Sequence, residues 1–146
     1  MVVAHEAQRL LAESMTEGMN SSIEGVGQAD SVENLRGIGM GYIQFALAEP
    51  GWFELAVLTH SADSVTAPSD QTEAPPFLLL IRVLDEMVRS GALSESRRPA
   101  AEWVCWSAVH GFAELATRGP ICHQDRQTLN ALGRHVVDAA VRSLTG

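Results

Sequence analysis

The sequence predicts an all-α fold of about six helices in one domain. Three observations support this prediction: apolar residues recur at intervals of three and four, proline and glycine stand where helices start and stop, and no convincing pair of strands is present. With 146 residues, 46% of them hydrophobic, the chain is long enough to bury a core without disulfides or metal ions.

Three helices are predicted before residue 60. Periodic apolar residues indicate the first helix over residues 4–19. Asp30 followed by Glu33 resembles a capping box, which predicts a second helix that ends near Glu49. Pro50 suits a first helical turn, because the missing N–H would have no partner there, so a short third helix is predicted through residue 58.

Three further helices are predicted after a loop. Residues 60–76 are polar and lack periodicity, which is typical of a loop. The fourth helix follows this loop and ends at Gly91, which is expected to adopt a left-handed conformation. The fifth helix is predicted to hold Pro99 in its first turn and to end before Gly119, and the sixth to span about residues 125–144.

Two sides of the fifth helix are predicted to be covered by other helices. One side is large and aromatic, and it carries Trp103, Trp106, His110 and Glu114. The other side is a row of mostly small residues, Ala101, Val104, Ala108, Gly111 and Leu115. The sixth helix carries a similar row, Leu129, Leu132, Val136 and Ala139 or Ala140.

These rows allow two interpretations. Two such helices from each of two copies would form an intermolecular four-helix bundle, which is a simple closed two-fold assembly. The alternative is that both rows belong to the core of a monomer, because a periodic apolar row does not say which surface it meets. A glycine inside a helix costs about 1 kcal/mol relative to alanine, so Gly111 favours close packing by another helix.

The charge and cysteine content exclude several classes of protein. The net charge is −8 and all ten basic residues are arginines that are scattered along the chain, so no basic stripe is available to bind nucleic acid. The longest apolar run, at residues 75–81, is too short to cross a membrane, and no export signal is present. Two cysteines without metal-ligand spacing fit a reducing cytoplasm, which is the expected location.

Two segments resemble a known family. WSAVHGFAELATRGP at residues 106–120 is similar to the tryptophan-histidine-glycine signature in C-terminal domains of TetR-like transcriptional regulators. LRGIGMGYIQFALAEPGWFELAV at residues 35–57 is similar to the helix-break-helix segment of the same family. The resemblance implies an effector-binding domain that forms a homodimer, in which the last two helices pair across a two-fold axis.

The resemblance also implies a partner region. Regulators of this family bind DNA through an N-terminal helix-turn-helix region, and this region is expected to be absent from this chain, whose first residue lies where that region would have ended. Whether the chain is a fragment of a longer regulator or a natural protein without that region stays open.

The ligand in such a domain would be a small, mostly apolar effector, and no cofactor is expected. Aromatic and large aliphatic side chains are the candidates for lining its pocket, although simple core packing is the alternative for each aromatic residue. The candidate ligand-binding residues are Tyr42, Phe45, Trp52, Phe53, Phe77, Ile81, Leu84, Trp103, Trp106 and His110. The candidate dimer residues are Ala101, Val104, Ala108, Gly111, Leu115, Leu129, Leu132, Val136 and Ala140.

His110 allows three interpretations: a hydrogen-bonded core residue, a partner of Glu114 one turn later, or a polar anchor for a ligand. A small helical enzyme that uses His110 with Glu114 is a further alternative, as is an interaction domain without any ligand. The histidines lack metal-binding spacing, so no metal site is predicted, and Cys105 is expected to be a small core residue.

Overall fold

The computed structural model describes residues 2–21, 31–58 and 74–146 of the chain. Over these residues it contains six α-helices, a short 3-10 helix at Glu95–Arg97 and no strand, which confirms the predicted all-α class. The helices are α1 (Val2–Ser21), α2 (Ser31–Ala48), α3 (Pro50–Leu58), α4 (Pro75–Arg89), α5 (Ala101–Thr117) and α6 (Arg126–Thr145).

Two of the predicted helix ends are confirmed in detail. Gly91 follows α4 with a φ of 84°, a left-handed conformation that costs glycine little. Asp125 precedes α6, and its carboxylate accepts a hydrogen bond of 2.7 Å from the backbone N–H of Thr128. The hydrogen bond from Thr128 also lowers the pKa of Asp125.

The predicted start of α5 is wrong by two residues. Pro99 does not lie in the first turn, because α5 begins at Ala101. Ala100 between them has a φ of 66°, so this residue adopts a left-handed backbone conformation immediately before the helix starts. The backbone N–H of Ala101 instead donates to the carbonyl of Arg98, 3.1 Å away.

Two predictions fall wholly or mostly outside the described residues. Asp30, the predicted cap of α2, lies outside the described residues. The predicted loop at 60–76 overlaps the described part of the chain only at residues 74–76. There Pro75 and Pro76 are the first two residues of α4 rather than the end of a loop.

Helix α2 lies at the centre of the fold and packs against each of the other five helices. Nine of its 18 residues are buried, among them Leu35, Ile38, Tyr42 and Ile43. Because neighbours surround α2, its buried residues are spread around the helix rather than confined to one stripe.

The contact between α1 and α2 is a backbone-to-backbone crossing made by glycines. A Cβ atom on Gly41 would lie 2.4 Å from the carbonyl oxygen of Ser14, and one on Gly37 would lie 2.6 Å from the Cα of Met19. On the α1 side, a Cβ atom on Gly18 would lie 2.2 Å from the carbonyl oxygen of Gly37. These distances show that Gly37 and Gly41 allow close helix packing, and the Ser14 hydroxyl donates to the carbonyl of Gly41 at 2.8 Å.

The substitution Gly41→Ala is therefore expected to destabilise the fold by about 3 kcal/mol, because the added methyl group meets backbone that cannot rotate away. Gly51→Ala in α3 is the matched control: no heavy atom lies within 4 Å of its added Cβ, and a change of at most about 1 kcal/mol is expected. Urea unfolding followed by circular dichroism measures both variants. Equal losses in the two would contradict the close crossing.

Candidate functional site

A small apolar cavity lies among α1, α2, α4, α5 and α6, with a volume of about 30 Å³. None of the side chains that line it carries a charge. They are Met15, Leu35, Ile38, Gly39, Tyr42, Leu80, Cys105, Trp106, Val109, Val137, Ala140 and Val141. A space of this size is roughly the volume of one water molecule in the liquid, so an organic ligand must displace side chains to enter.

Six of the ten predicted ligand-binding residues form one connected cluster of rings. The Tyr42 ring contacts Phe53 at 5.5 Å and Trp106 at 5.7 Å between centroids. Phe77 joins the cluster through Trp106 at 5.7 Å and Trp103 at 5.4 Å. His110 completes it by contacting Tyr42 at 6.5 Å and Phe53 at 6.0 Å. Trp106 therefore links the two halves of the cluster, and it also borders the cavity.

The other four predicted residues are not among these ring contacts. Phe45 and Leu84 are buried in the core, whereas Trp52 and Ile81 are half-buried. Of all ten residues, only Tyr42 and Trp106 line the cavity. The remaining lining residues have aliphatic or small side chains, and the sequence did not predict them as ligand-binding residues. Their spacing is the same as that of ordinary core residues, so no signal in the sequence distinguishes them.

Tyr42 and His110 are joined by a hydrogen bond of 2.9 Å between the tyrosine hydroxyl and Nδ1 of the imidazole. Burial raises the pKa of Tyr42 far above its usual range, so the hydroxyl keeps its proton. Burial also lowers the pKa of His110, which favours the neutral ring. Nε2 of that ring points towards Glu114, so the N–H belongs on Nε2 and Nδ1 accepts the tyrosine proton.

His110 also lies next to a series of charged side chains at the surface. Nε2 of His110 lies 3.7 Å from the carboxylate of Glu114, and Arg118 donates to both oxygens of that carboxylate at 2.7 and 3.0 Å. Arg118 also reaches Glu54 of α3 at 3.3 Å. The hydrogen bonds from Arg118 are the main reason why the pKa of Glu114 is lowered. His110 thus connects a buried hydroxyl to solvated ion pairs.

The structure shows the hydrogen bond and the neighbour that two of the three interpretations of His110 require, since it bonds to Tyr42 and faces Glu114, but its side chain is 33% exposed rather than part of the core. Its role as a ligand anchor stays a prediction. Cys105 is buried, as expected of a core residue, and burial raises the pKa of its thiol to about 12. A thiol with that pKa is a poor nucleophile at neutral pH.

Four of the nine predicted dimer residues are exposed, three are half-buried and two are buried. Val104, Leu115 and Leu132 expose 44, 47 and 40% of their surface, and among the described residues no atom beyond the adjoining part of α5 lies within 4 Å of a Cβ atom placed on Gly111. Ala108, Val136 and Ala140 are half-buried, and Ala140 also lines the cavity.

The first residue of each row, Ala101 and Leu129, is buried in the core of the chain itself. A row that alternates three and four has a period of 3.5 residues, so it drifts by about 20° per seven residues around an α-helix. The larger offset comes from the steps of three residues, each of which turns the helix by about 300°. Val104 and Leu132 therefore lie about 60° around the helix from the buried Ala101 and Leu129 and are exposed, whereas Ala108 and Ala140 lie closer in angle and are half-buried.

The described residues contain no group of three or more His, Cys, Asp and Glu side chains placed to hold a metal ion. In the same part of the chain, no helix has the length and the apolar character that crossing a membrane requires.

The pH dependence of stability is expected to report the environment of His110. Because its pKa in the folded state is lower than the ordinary value of 6.5, the unfolded chain binds the proton first as the pH falls. The stability contributed by the neutral ring is present above pH 6.5 and is lost as the pH drops through the folded-state pKa. His110→Asn, which removes this titration, should show a smaller loss between pH 7.5 and 5 in urea unfolding. Equal losses in both proteins would contradict this environment.

Comparisons with known proteins agree with this architecture. The family described as "Tetracyclin repressor-like, C-terminal domain" matches residues 35–140. A solved structure described as a protein with unknown function from Rhodococcus sp. RHA1 has the same fold, with a TM-score of 0.72 at 16% identity over 99% of this chain and 72% of that chain. No curated protein matches the chain. Because the family match covers most of the sequence, the chain belongs to the tetracyclin repressor-like C-terminal domains, which generally bind effectors and form dimers.

Proposed function

We propose that this chain is the effector-binding and dimerisation domain of a TetR-like transcriptional regulator and that it senses a small, mostly apolar ligand. One observation carries the proposal: α5 borders an apolar cavity on one side and presents an exposed apolar row on another. A helix with both surfaces can couple the occupancy of the cavity to the arrangement of a dimer.

The composition of the cavity supports ligand binding. Pockets for small molecules are mostly apolar, with a few polar groups that fix the orientation of the ligand. Here the lining is aliphatic and aromatic, and the Tyr42 hydroxyl is held by His110 at its edge. Trp106 is half-buried between the cavity and the surface, so its rotation is the simplest way to enlarge the space.

The exposed rows of α5 and α6 support dimerisation. Val104 and Leu115 on α5, together with Leu132 on α6, are large exposed apolar side chains, and among the described residues no other helix lies within 4 Å of a Cβ atom placed on Gly111. Large exposed apolar groups that share one face mark interaction surfaces. Two copies that meet through these helices would form the four-helix bundle predicted for the family.

The output of this sensor would be DNA binding by a helix-turn-helix region of the regulator. An effector that favours one position of α5 would favour one dimer geometry, and the dimer geometry sets the spacing of two DNA-binding regions. The net charge of −8 fits a role in which the residues of this chain do not themselves bind DNA.

A second candidate is a dimerisation domain without a ligand. The small volume of the cavity, about 30 Å³, favours this alternative, because it leaves no room for an organic molecule unless side chains move. A small helical enzyme that uses His110 is the weaker alternative, because Nδ1 is occupied by Tyr42 and the family is typically regulatory.

The dimer face can be tested with Leu115→Glu. A two-fold axis brings both copies of the introduced carboxylate into the apolar interface, so the dissociation constant is expected to rise at least about a hundredfold, or about 2.7 kcal/mol. Leu78→Glu is the matched control, because Leu78 has the same 47% exposure and lies on α4, outside the rows. Sedimentation velocity measures both variants. A wild-type monomer, or equal dimers in both variants, would rule out this face.

The pocket can be tested by a thermal-shift screen of uncharged apolar compounds. A ligand at one hundred times its dissociation constant adds about 2.7 kcal/mol of stability, which corresponds to several degrees in Tm. Cys105→Leu fills the cavity and should abolish the shift, whereas Cys122→Leu, a change of the other free cysteine outside the cavity, should keep it. The ligand-free alternative would be favoured if no compound stabilised the wild-type protein.

A further inference from the structure

We infer that the effector is an uncharged molecule with an apolar body and one hydrogen-bonding group, and that this group takes the place of His110 as the partner of the Tyr42 hydroxyl. This inference rests on the proposed ligand-binding function, and it specifies the chemistry of the ligand and the contact that the ligand breaks.

The lining of the cavity excludes a charged ligand. Only three of its twelve residues carry a polar side-chain atom apart from methionine sulfur, namely Tyr42, Cys105 and Trp106, and all three side chains are neutral donors. Burial keeps the proton on both the tyrosine and the cysteine, because it raises the pKa of each. A carboxylate or an ammonium group in this space would therefore lose its water without gaining an opposite charge, which is strongly unfavourable.

The charges near the site are already paired outside the cavity. Glu114 is bonded by Arg118, and Arg118 also contacts Glu54. On the other side of α5, Glu102 is paired with Arg98 at 2.8 Å. A charged ligand would have to break one of these ion pairs to find a partner of opposite charge. The neutral lining and the pairing of the nearby charges therefore both favour an uncharged ligand.

A ligand that takes the place of the Trp106 ring would lie next to the Tyr42–His110 pair. Trp106 and His110 are one turn apart on the same side of α5, and the Tyr42 ring contacts both. A ligand that displaces the Trp106 ring therefore enters beside the Tyr42 ring, which bears the hydroxyl bonded to His110. That hydroxyl has one proton, and it donates this proton in a hydrogen bond to Nδ1 of His110. A hydrogen-bond acceptor on the ligand competes with Nδ1 of His110 for the hydrogen bond from this hydroxyl.

The exchange has a structural consequence. The hydrogen bond joins α2, at the centre of the fold, to α5, which carries most of the proposed dimer row. When a ligand accepts the hydrogen bond from the Tyr42 hydroxyl, α5 loses its hydrogen bond to α2, and His110 is left to interact with Glu114 and water. Occupancy of the cavity thus reaches the dimer face through one side-chain contact.

Four probes with one aromatic ring test the inference: toluene, benzyl alcohol, benzoate and benzylammonium. They share an apolar body and differ in charge and in the hydrogen-bonding group. At pH 7.5, toluene and benzyl alcohol are expected to bind, and the two ions at least about a hundredfold more weakly. Dissociation constants come from titrations followed by protein NMR.

The variant Tyr42→Phe tests the exchange itself. In the wild-type protein benzyl alcohol should bind more tightly than toluene, by about threefold to tenfold, and in Tyr42→Phe this advantage should vanish while toluene binding persists. The imidazole nitrogen signals of His110 supply an independent readout: benzyl alcohol should shift the Nδ1 resonance and toluene should shift it much less. His110→Asn, which keeps a hydrogen-bonding group near the Nδ1 position, should retain the preference for the alcohol.

The outcomes separate the inference from the proposed function. If none of the four probes binds, the ligand-binding function and the inference both fail. If benzoate or benzylammonium binds as tightly as benzyl alcohol, the pocket stands and the uncharged ligand class is wrong. If benzyl alcohol has no advantage over toluene in the wild-type protein, or leaves Nδ1 of His110 unchanged, the exchange at Tyr42 is wrong.

Discussion

Three glycines allow the backbones of α1 and α2 to touch, and this contact fixes α2 for every helix that packs on it. No side chain separates the two helices where Gly18 meets Gly37 and Gly41, so their distance is set by backbone atoms that cannot be repacked. With one side of α2 held in this way, its remaining sides are free to position α3, α4, α5 and α6. The cavity lies where α2 faces the last three of these helices.

The site depends on how α2 divides its residues between its neighbours. Glycines face α1, whereas Tyr42 points the other way and meets the rings of Phe53 and Trp106 and the imidazole of His110. Because Tyr42 is both buried and hydrogen-bonded, it forms a boundary between a dry apolar interior and the ion pairs of Glu114 and Arg118. The polar side chains that line the cavity are therefore few and neutral, and the charged groups lie outside it.

Helix α5 takes part in both proposed activities, ligand binding and dimerisation, because its different sides carry different kinds of residues. Phe112, Ala113 and Ala116 pack into the core, Trp106 and His110 face the ring cluster, and Val104 and Leu115 are exposed. Few residues of this helix are left for a purely solvated face, which accounts for its low content of charge. A helix of this kind is stable only when something covers its third side, as the proposed second copy would.

The sequence by itself determined the helices, most of their ends and the family, because these depend on local periodicity, on proline and glycine, and on motifs that are continuous along the chain. It also indicated which residues of α5 are aromatic and which are small. Only the tertiary structure decided that Gly18 is the partner of Gly37, that Tyr42 bonds to His110, and that Ala101 and Leu129 lie in the core. These outcomes depend on how distant segments cross and on which side of each helix the neighbouring helices cover, and a linear pattern does not contain that geometry.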